Sequence, residues 1–297
     1  ALGGGKPTHA AARAAQALCK LGSCTLTEAH VYDPREEARR FGLGDPENSK
    51  VRAEIEALLA RELPGRYGPS GVEAARFVAL ATHGDVAETL AEYAAEQRAE
   101  LLVLGSHQRG AVSRRLRGSV SYGVLPMVDT NVLIVPQPKD EIVPLAPLRP
   151  VRRALVATDL SATGNRGVQL ALSLLPPGGQ LVVLHVDAVV EPTSDWIMGY
   201  PPAVRPSPDE RKLRRTLAET ELVKLAEQRA EGGLETLIEV VEASDIPRAI
   251  LEAAERHQVD LVCLGTHHHG RVASTLLGSV ARAVARRSTR PVLLVPG

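Results

Sequence analysis

Rings are scarce in this chain, with one tryptophan, two phenylalanines and five tyrosines among 297 residues. So few aromatic faces argue against a surface that stacks single-stranded nucleic acid. Neither sign of charge prevails, with 35 basic residues against 35 acidic ones. No electrostatic footprint therefore calls for a nucleic acid or an anionic membrane as partner. The cysteines Cys19, Cys24 and Cys263 are odd in number and lack metal-ligand spacing. They are expected to be reduced thiols in a cytosolic core. No apolar run approaches the ~20 residues of a membrane-spanning helix. The opening ALGGGKPTHAAARAA also lacks the apolar centre of a signal peptide. These absences predict a soluble, cytoplasmic protein.

What is present is a repeat. Residues 105–119 read GSHQRGAVSRRLRGS and residues 265–279 read GTHHHGRVASTLLGS, each directly after an apolar run, LLVLG or LVCLG. At an offset of 160 the match continues without a gap from His83/Ala243 to Gln137/Gly297, with 18 identities in 55 pairs. Matching in register over that length means a duplicated unit. The 297 residues, 44% of them hydrophobic, suit two domains of about 150 residues, each with its own core.

The second copy has the clearer pattern. Strands are predicted at 154–158, 181–186, 235–241, 260–265 and 291–295, and helices at 165–175, 209–230, 246–257 and 278–288, with a proline-rich loop at 191–208. Strands that are apolar throughout, alternating with helices, imply a parallel sheet covered on both faces. The first copy follows the same plan, with helices at 9–21 and 50–63 and strands at 25–31 and 76–81. No stretch ahead of its first helix reads as a first strand, because residues 1–7 are glycine-rich; that strand is expected to be either absent from this sequence or divergent. The expected domains are 1–142 and 151–297, joined by a linker at 143–150 (VPLAPLRP) whose prolines disfavour helix.

Strand, glycine loop and helix in that order suggest a phosphate site. A glycine at a strand end admits a ligand close to the backbone, and the free amides of the following helix attract anions. On open parallel sheets ligands bind beyond the carboxyl ends of the strands, where Asp159 and Gly265 fall. A Gly-Ser pair opens the next helix in both copies, GSVSYGVL and GSVARAVA, adding a second set of amides. The GGGK at residues 3–6 is no P-loop, since Pro7 stands where a hydroxyl is required. No nucleophile elbow or nucleophile-base-acid set is visible. His30 and His185 near the ends of their strands read as packing residues.

The pattern Gly-x2-Gly-x9-Gly-Ser, an Asp closing the first strand in VATDLS (156–161), and the endings VLIVP and VLLVP resemble the universal stress protein family in its tandem two-domain form. The resemblance implies two Rossmann-like (adenine nucleotide alpha hydrolase-like) α/β domains, each with a five-stranded parallel sheet. It also implies ATP or ADP as ligand, with Mg2+ a further candidate, little or no hydrolysis, and a role in stress survival through sensing or an unknown protein partner. In the second copy Asp159 would contact adenine or ribose, and Val186 would line the base pocket. Gly265 would lie against ribose and phosphates, and Gly278, Ser279 and Val280 would supply amides to the phosphates. The first-copy equivalents are Val31, Gly105, Gly118, Ser119 and Val120, with Ser121 adding a hydroxyl. The closing strands would pair the two domains as a pseudo-dimer, which leaves a homodimer open.

The sequence departs from the family at the second glycine, replaced by Gln108 and His268; Gly110 and Gly270 stand two residues later. A residue with a Cβ resists the left-handed backbone that glycine adopts freely. The alternative is therefore an interaction module with decayed loops, with His267, His268 and His269 offering imidazoles to a metal. His268 is also a candidate phosphate contact. Arg109, Arg114, Arg115 and Arg117 near the first loop would neutralise a triphosphate or line an exposed helix.

Overall fold

A computed structural model describes residues 7–19, 24–66, 76–82, 84–107, 120–137, 151–189, 206–227, 233–266 and 278–297. The chain divides into two compact units, Ala1–Pro150 and Val151–Gly297.

The first unit runs α1 (Pro7–Cys19), β1 (Thr27–Tyr32), α2 (Pro34–Phe41), α3 (Ser49–Arg66), β2 (Arg76–Ala81), α4 (Val86–Glu96), β3 (Leu101–His107), α5 (Val120–Val124) and β4 (Asn131–Gln137). Its strands form two parallel pairs. β1 lies beside β2 from Thr27/Arg76 to Tyr32/Ala81, and β3 beside β4 from Leu101/Asn131 to His107/Gln137. The β1–β2 pair is a sheet of its own. Among the described residues no strand precedes α1.

Tyr32, Ala38, Ile55 and Leu59 form a buried cluster where α2 and α3 cover this pair, and the only two phenylalanines, Phe41 and Phe77, pack against it. The expected disposition of the cysteines is corrected here. Cys19, at the end of α1, is bonded to Cys24 five residues on, with Cα atoms 5.3 Å apart, a separation a disulfide spans. Cys263 alone is free, and it is buried.

The second unit runs β5 (Arg153–Ala157), α6 (Ala162–Leu174), β6 (Gln180–Ala188), α7 (Pro208–Glu227), β7 (Glu235–Ala243), α8 (Ile246–Arg256), β8 (Leu261–Thr266), α9 (Ser279–Arg287) and β9 (Val292–Pro296). These strands form a parallel array in the order β9, β8, β5, β6, β7. β5 is central, and Ala154, Leu155 and Val156 are fully buried, as a strand with helices on both faces requires.

Duplication extends to the caps. Asp85 accepts from the Ala87 amide at the start of α4, and Asp245, 160 residues on, accepts from the Arg248 amide at the start of α8. α5 is a single turn that tightens into a 3-10 turn at Leu125–Met127. Pro126 lacks the amide that a continuing helix would bond, and its counterpart Arg286 lies inside the longer α9. The linker 143–150 lies outside the described residues, as does most of the proline-rich segment 191–208.

Candidate functional site

In the second unit the chain turns at β5. β6 lies on one side of it and β8 on the other, which makes the carboxyl end of β5 the switch point where a crevice opens. β6 continues past the last β5 pair, Ala157/Leu184, to Ala188 and is paired there with β7 alone. That overhang walls one side of the crevice.

The turn from β5 into α6 is held by its own polar side chains. The Asp159 carboxylate accepts from the Ser161 amide (3.0 Å) and hydroxyl (2.6 Å), and the Ser161 hydroxyl accepts from the Gly164 amide as the N-cap of α6 (3.0 Å). The Thr158 hydroxyl accepts from the Leu160 amide and donates to Asn165 Oδ1 (2.8 Å). His185 Nδ1 lies 2.9 Å from the Thr158 carbonyl. A carbonyl only accepts, so that nitrogen is the donor. Leu160 sits at φ 67°, a left-handed conformation that costs a branched side chain about 1–3 kcal/mol. The turn therefore presents the exposed Asp159 in a strained, over-determined loop.

Gly265 ends β8 directly beneath α6. A Cβ there would stand 2.6 Å from the Thr163 carbonyl and 2.7 Å from the Gly164 Cα. Its absence is what lets helix and strand approach. Gly164 and Gly167 serve the same approach from the helix side, facing Thr158, Asp159 and Val156. Gly278 is the N-cap of α9, with no side-chain cap bond and, among the described residues, nothing within 4 Å of a would-be Cβ. Ser279 and Val280 open that helix, whose first amides attract an anion. Val186 lies in β6 opposite Val241.

In the first unit Val31 lies in β1 and Val120 opens α5. Ser121 is buried, and its hydroxyl donates to the Gly105 carbonyl at 2.5 Å. That bond ties α5 to β3 and occupies the hydroxyl expected at a phosphate. Gln108, Gly118, Ser119, His268 and the arginines of the first loop lie outside the described residues, as do His267, His269, Gly110 and Gly270. Among the described residues no cluster of three or more His, Cys, Asp or Glu is placed to hold a metal, and no helix is long and apolar enough to cross a membrane. The Ser161 cap and the Thr158–His185 link were not anticipated. A serine just ahead of the helical pattern is the signal that identifies the first; the second joins residues 27 apart and leaves no local trace.

The chain belongs to the universal stress protein family, whose model matches twice in tandem, at residues 1–136 and 150–296. It is 28% identical over 233 residues to a universal stress protein of Mycobacterium tuberculosis (strain ATCC 25618 / H37Rv), covering 76% of this chain and 67% of that one. To a universal stress protein of Mycolicibacterium smegmatis it is 32% identical over 217 residues, covering 71% of this chain and 65% of the relative. The crystal structure of a universal stress protein from Archaeoglobus fulgidus DSM 4304 has the same fold, with TM-score 0.62, 20% identity, and coverage of 97% of this chain and 92% of that one.

Proposed function

We infer that the second unit binds ATP or another adenine nucleotide, with magnesium as counter-ion, and that the chain serves a stress response as a nucleotide sensor or adaptor with little or no hydrolysis. One observation carries this reading. α6 and α9 both start at the carboxyl edge of the parallel array, after β5 and β8, and α9 starts on Gly278, where no atom of the described residues lies within 4 Å of a would-be Cβ. A phosphate chain is the ligand such an uncapped amino end attracts. In this reading Asp159 and Val186 take the base and ribose, the Gly278, Ser279 and Val280 amides and the Ser279 hydroxyl take the phosphates, and Gly265 acts indirectly by seating α6. The first unit, without a described strand to carry a partner for Asp159, binds more weakly or not at all.

The test is the nucleotide content of gently purified protein, by heat release and mass spectrometry, with a titration of ATP against wild type and Gly278→Glu. Nucleotide near one per chain and saturable binding are expected. Both should be lost in the variant while its unfolding midpoint stays put, since the new carboxylate repels phosphate and a Cβ at this position meets no atom of the described residues within 4 Å. No saturable binding at millimolar ATP would overturn the reading. It would favour an interaction module, to which the split sheet of the first unit already lends support.

A further inference from the structure

α7 carries two apolar faces where a surface helix needs one. Its inner face packs on β6 and β7 and buries Ala218 and Leu222. On its outer side Leu213 is 60% exposed, Leu217 58% and Val223 38%. With Met127 these are the exposed large apolar side chains among the described residues, so three of the four sit on one helix. Isolated apolar residues on a surface are ordinary, but a cluster marks an interaction site. In α3, the long helix of the first unit, Val51, Ile55, Leu58 and Leu59 are all half-buried or buried. The outer seam is therefore peculiar to α7.

Spacing turns the cluster into a stripe. Leu213, Thr216, Leu217, Thr220 and Val223 are all exposed and follow the alternating steps of three and four that align side chains along one helix face. None of the five is charged. One flank of the stripe is formed by Glu210, Arg214, Glu221 and Lys224, all exposed. Read forwards their signs run minus, plus, minus, plus, and read backwards they run plus, minus, plus, minus. A second α7 lying antiparallel thus meets every charge with its opposite, whereas a parallel one sets like against like. The partners these groups have now are weak surface pairs that a dimer can replace: Arg214 lies 3.9 Å from Asp187, and Lys224 bonds Glu221 within its own helix.

We propose that α7 is a self-association surface, on which a second copy of this chain docks its own α7 antiparallel across a twofold axis. The two Leu217 side chains meet at the axis, and Leu213 of one copy lies between Thr220 and Val223 of the other. Glu210 then faces Lys224 and Arg214 faces Glu221, each pair occurring twice because the same patch serves both copies. The apolar seam supplies the attraction and the charges fix the direction.

The test is sedimentation equilibrium of the whole chain. A dimer that grows with concentration is expected. Arg214→Glu and Glu221→Arg should each weaken it about tenfold or more. An equimolar mixture of the two variants should regain it, as should a chain carrying both exchanges, because both restore every opposite pair. All these side chains are exposed, so unfolding midpoints should match wild type. A short bismaleimide should join Leu217→Cys chains in pairs but not Glu210→Cys chains, whose thiols stand roughly 21 Å apart in this arrangement. The native cysteines do not compete, since Cys263 is buried and Cys19 is bonded to Cys24. A chain still monomeric at submillimolar concentration, a dimer indifferent to the charge variants, a mixture that fails to regain it, or equal crosslinking at both positions would overturn the proposal.

Discussion

Two glycines ten or more residues apart in the same motif have different physical duties. A Cβ at Gly265 would press on the backbone of Thr163 and Gly164, which cannot move aside as a flexible side chain would. Overpacking of that kind costs about 1–3 kcal/mol. Gly265→Ala is expected to lower stability by that amount, while Gly278→Ala, with no atom of the described residues within 4 Å of its Cβ, should stay within about 0.5 kcal/mol. Denaturant midpoints of the two variants check this; equal losses would refute it.

At the same scale, burial raises the Tyr32 hydroxyl above its ordinary pKa, reinforced by its hydrogen bond to Glu56 (3.0 Å) and that carboxylate's charge, with Arg52 opposing. Between the unfolded value of about 10 and the higher native one, the unfolded chain releases a proton that the native state retains, so stability falls as pH rises through that window. The stability advantage of wild type over Tyr32→Phe should be full at pH 8 and shrink above about pH 10, as read from urea unfolding at each pH. An advantage that grows with pH would contradict the assignment. Burial also raises the pKa of the Cys263 thiol.

Among the elements, α2 shows where patterning fails and capping succeeds. Its eight residues, PREEARRF, carry no apolar stripe for periodicity to find. Yet Asp33 caps it, Pro34 leads it, Glu36 and Glu37 fill its first turn, Arg39 and Arg40 its last, and Gly42 ends it in the left-handed conformation. α4 and α8 show the same logic in duplicate through Asp85 and Asp245. Asp245→Ala removes the acceptor of the Arg248 amide (3.0 Å) and is expected to cost about 1 kcal/mol. Asp245→Asn should restore most of it. Thermal unfolding of the pair is the check, and an asparagine variant as weak as the alanine one would rule out capping as the cause.

For the whole molecule, the difference between the units has a consequence for stability. The second has a central strand with both edges bonded and its apolar side chains fully buried. The first divides its strands between two pairs, and two-stranded sheets are marginal by themselves. Residues 151–297 expressed alone should unfold cooperatively, and residues 1–150 at a lower temperature or without a sharp transition. Calorimetry of the two fragments decides, with the reverse order refuting the argument.

The sequence by itself determined the duplication, the parallel α/β class and the positions of Asp159 and Gly265 at strand ends. Each of these follows from local periodicity or from register between copies, and both are written along the chain. Only the tertiary structure decided that Gly265 is a glycine because α6 lies against it, that the Ser121 hydroxyl is bonded to the Gly105 carbonyl, that His185 holds the Thr158 carbonyl, and that Cys19 pairs with Cys24. Most of these are contacts between elements distant in sequence, set by how closely helices and strands pack, and the disulfide depends on how the chain turns out of α1. No spacing rule along the chain contains those distances.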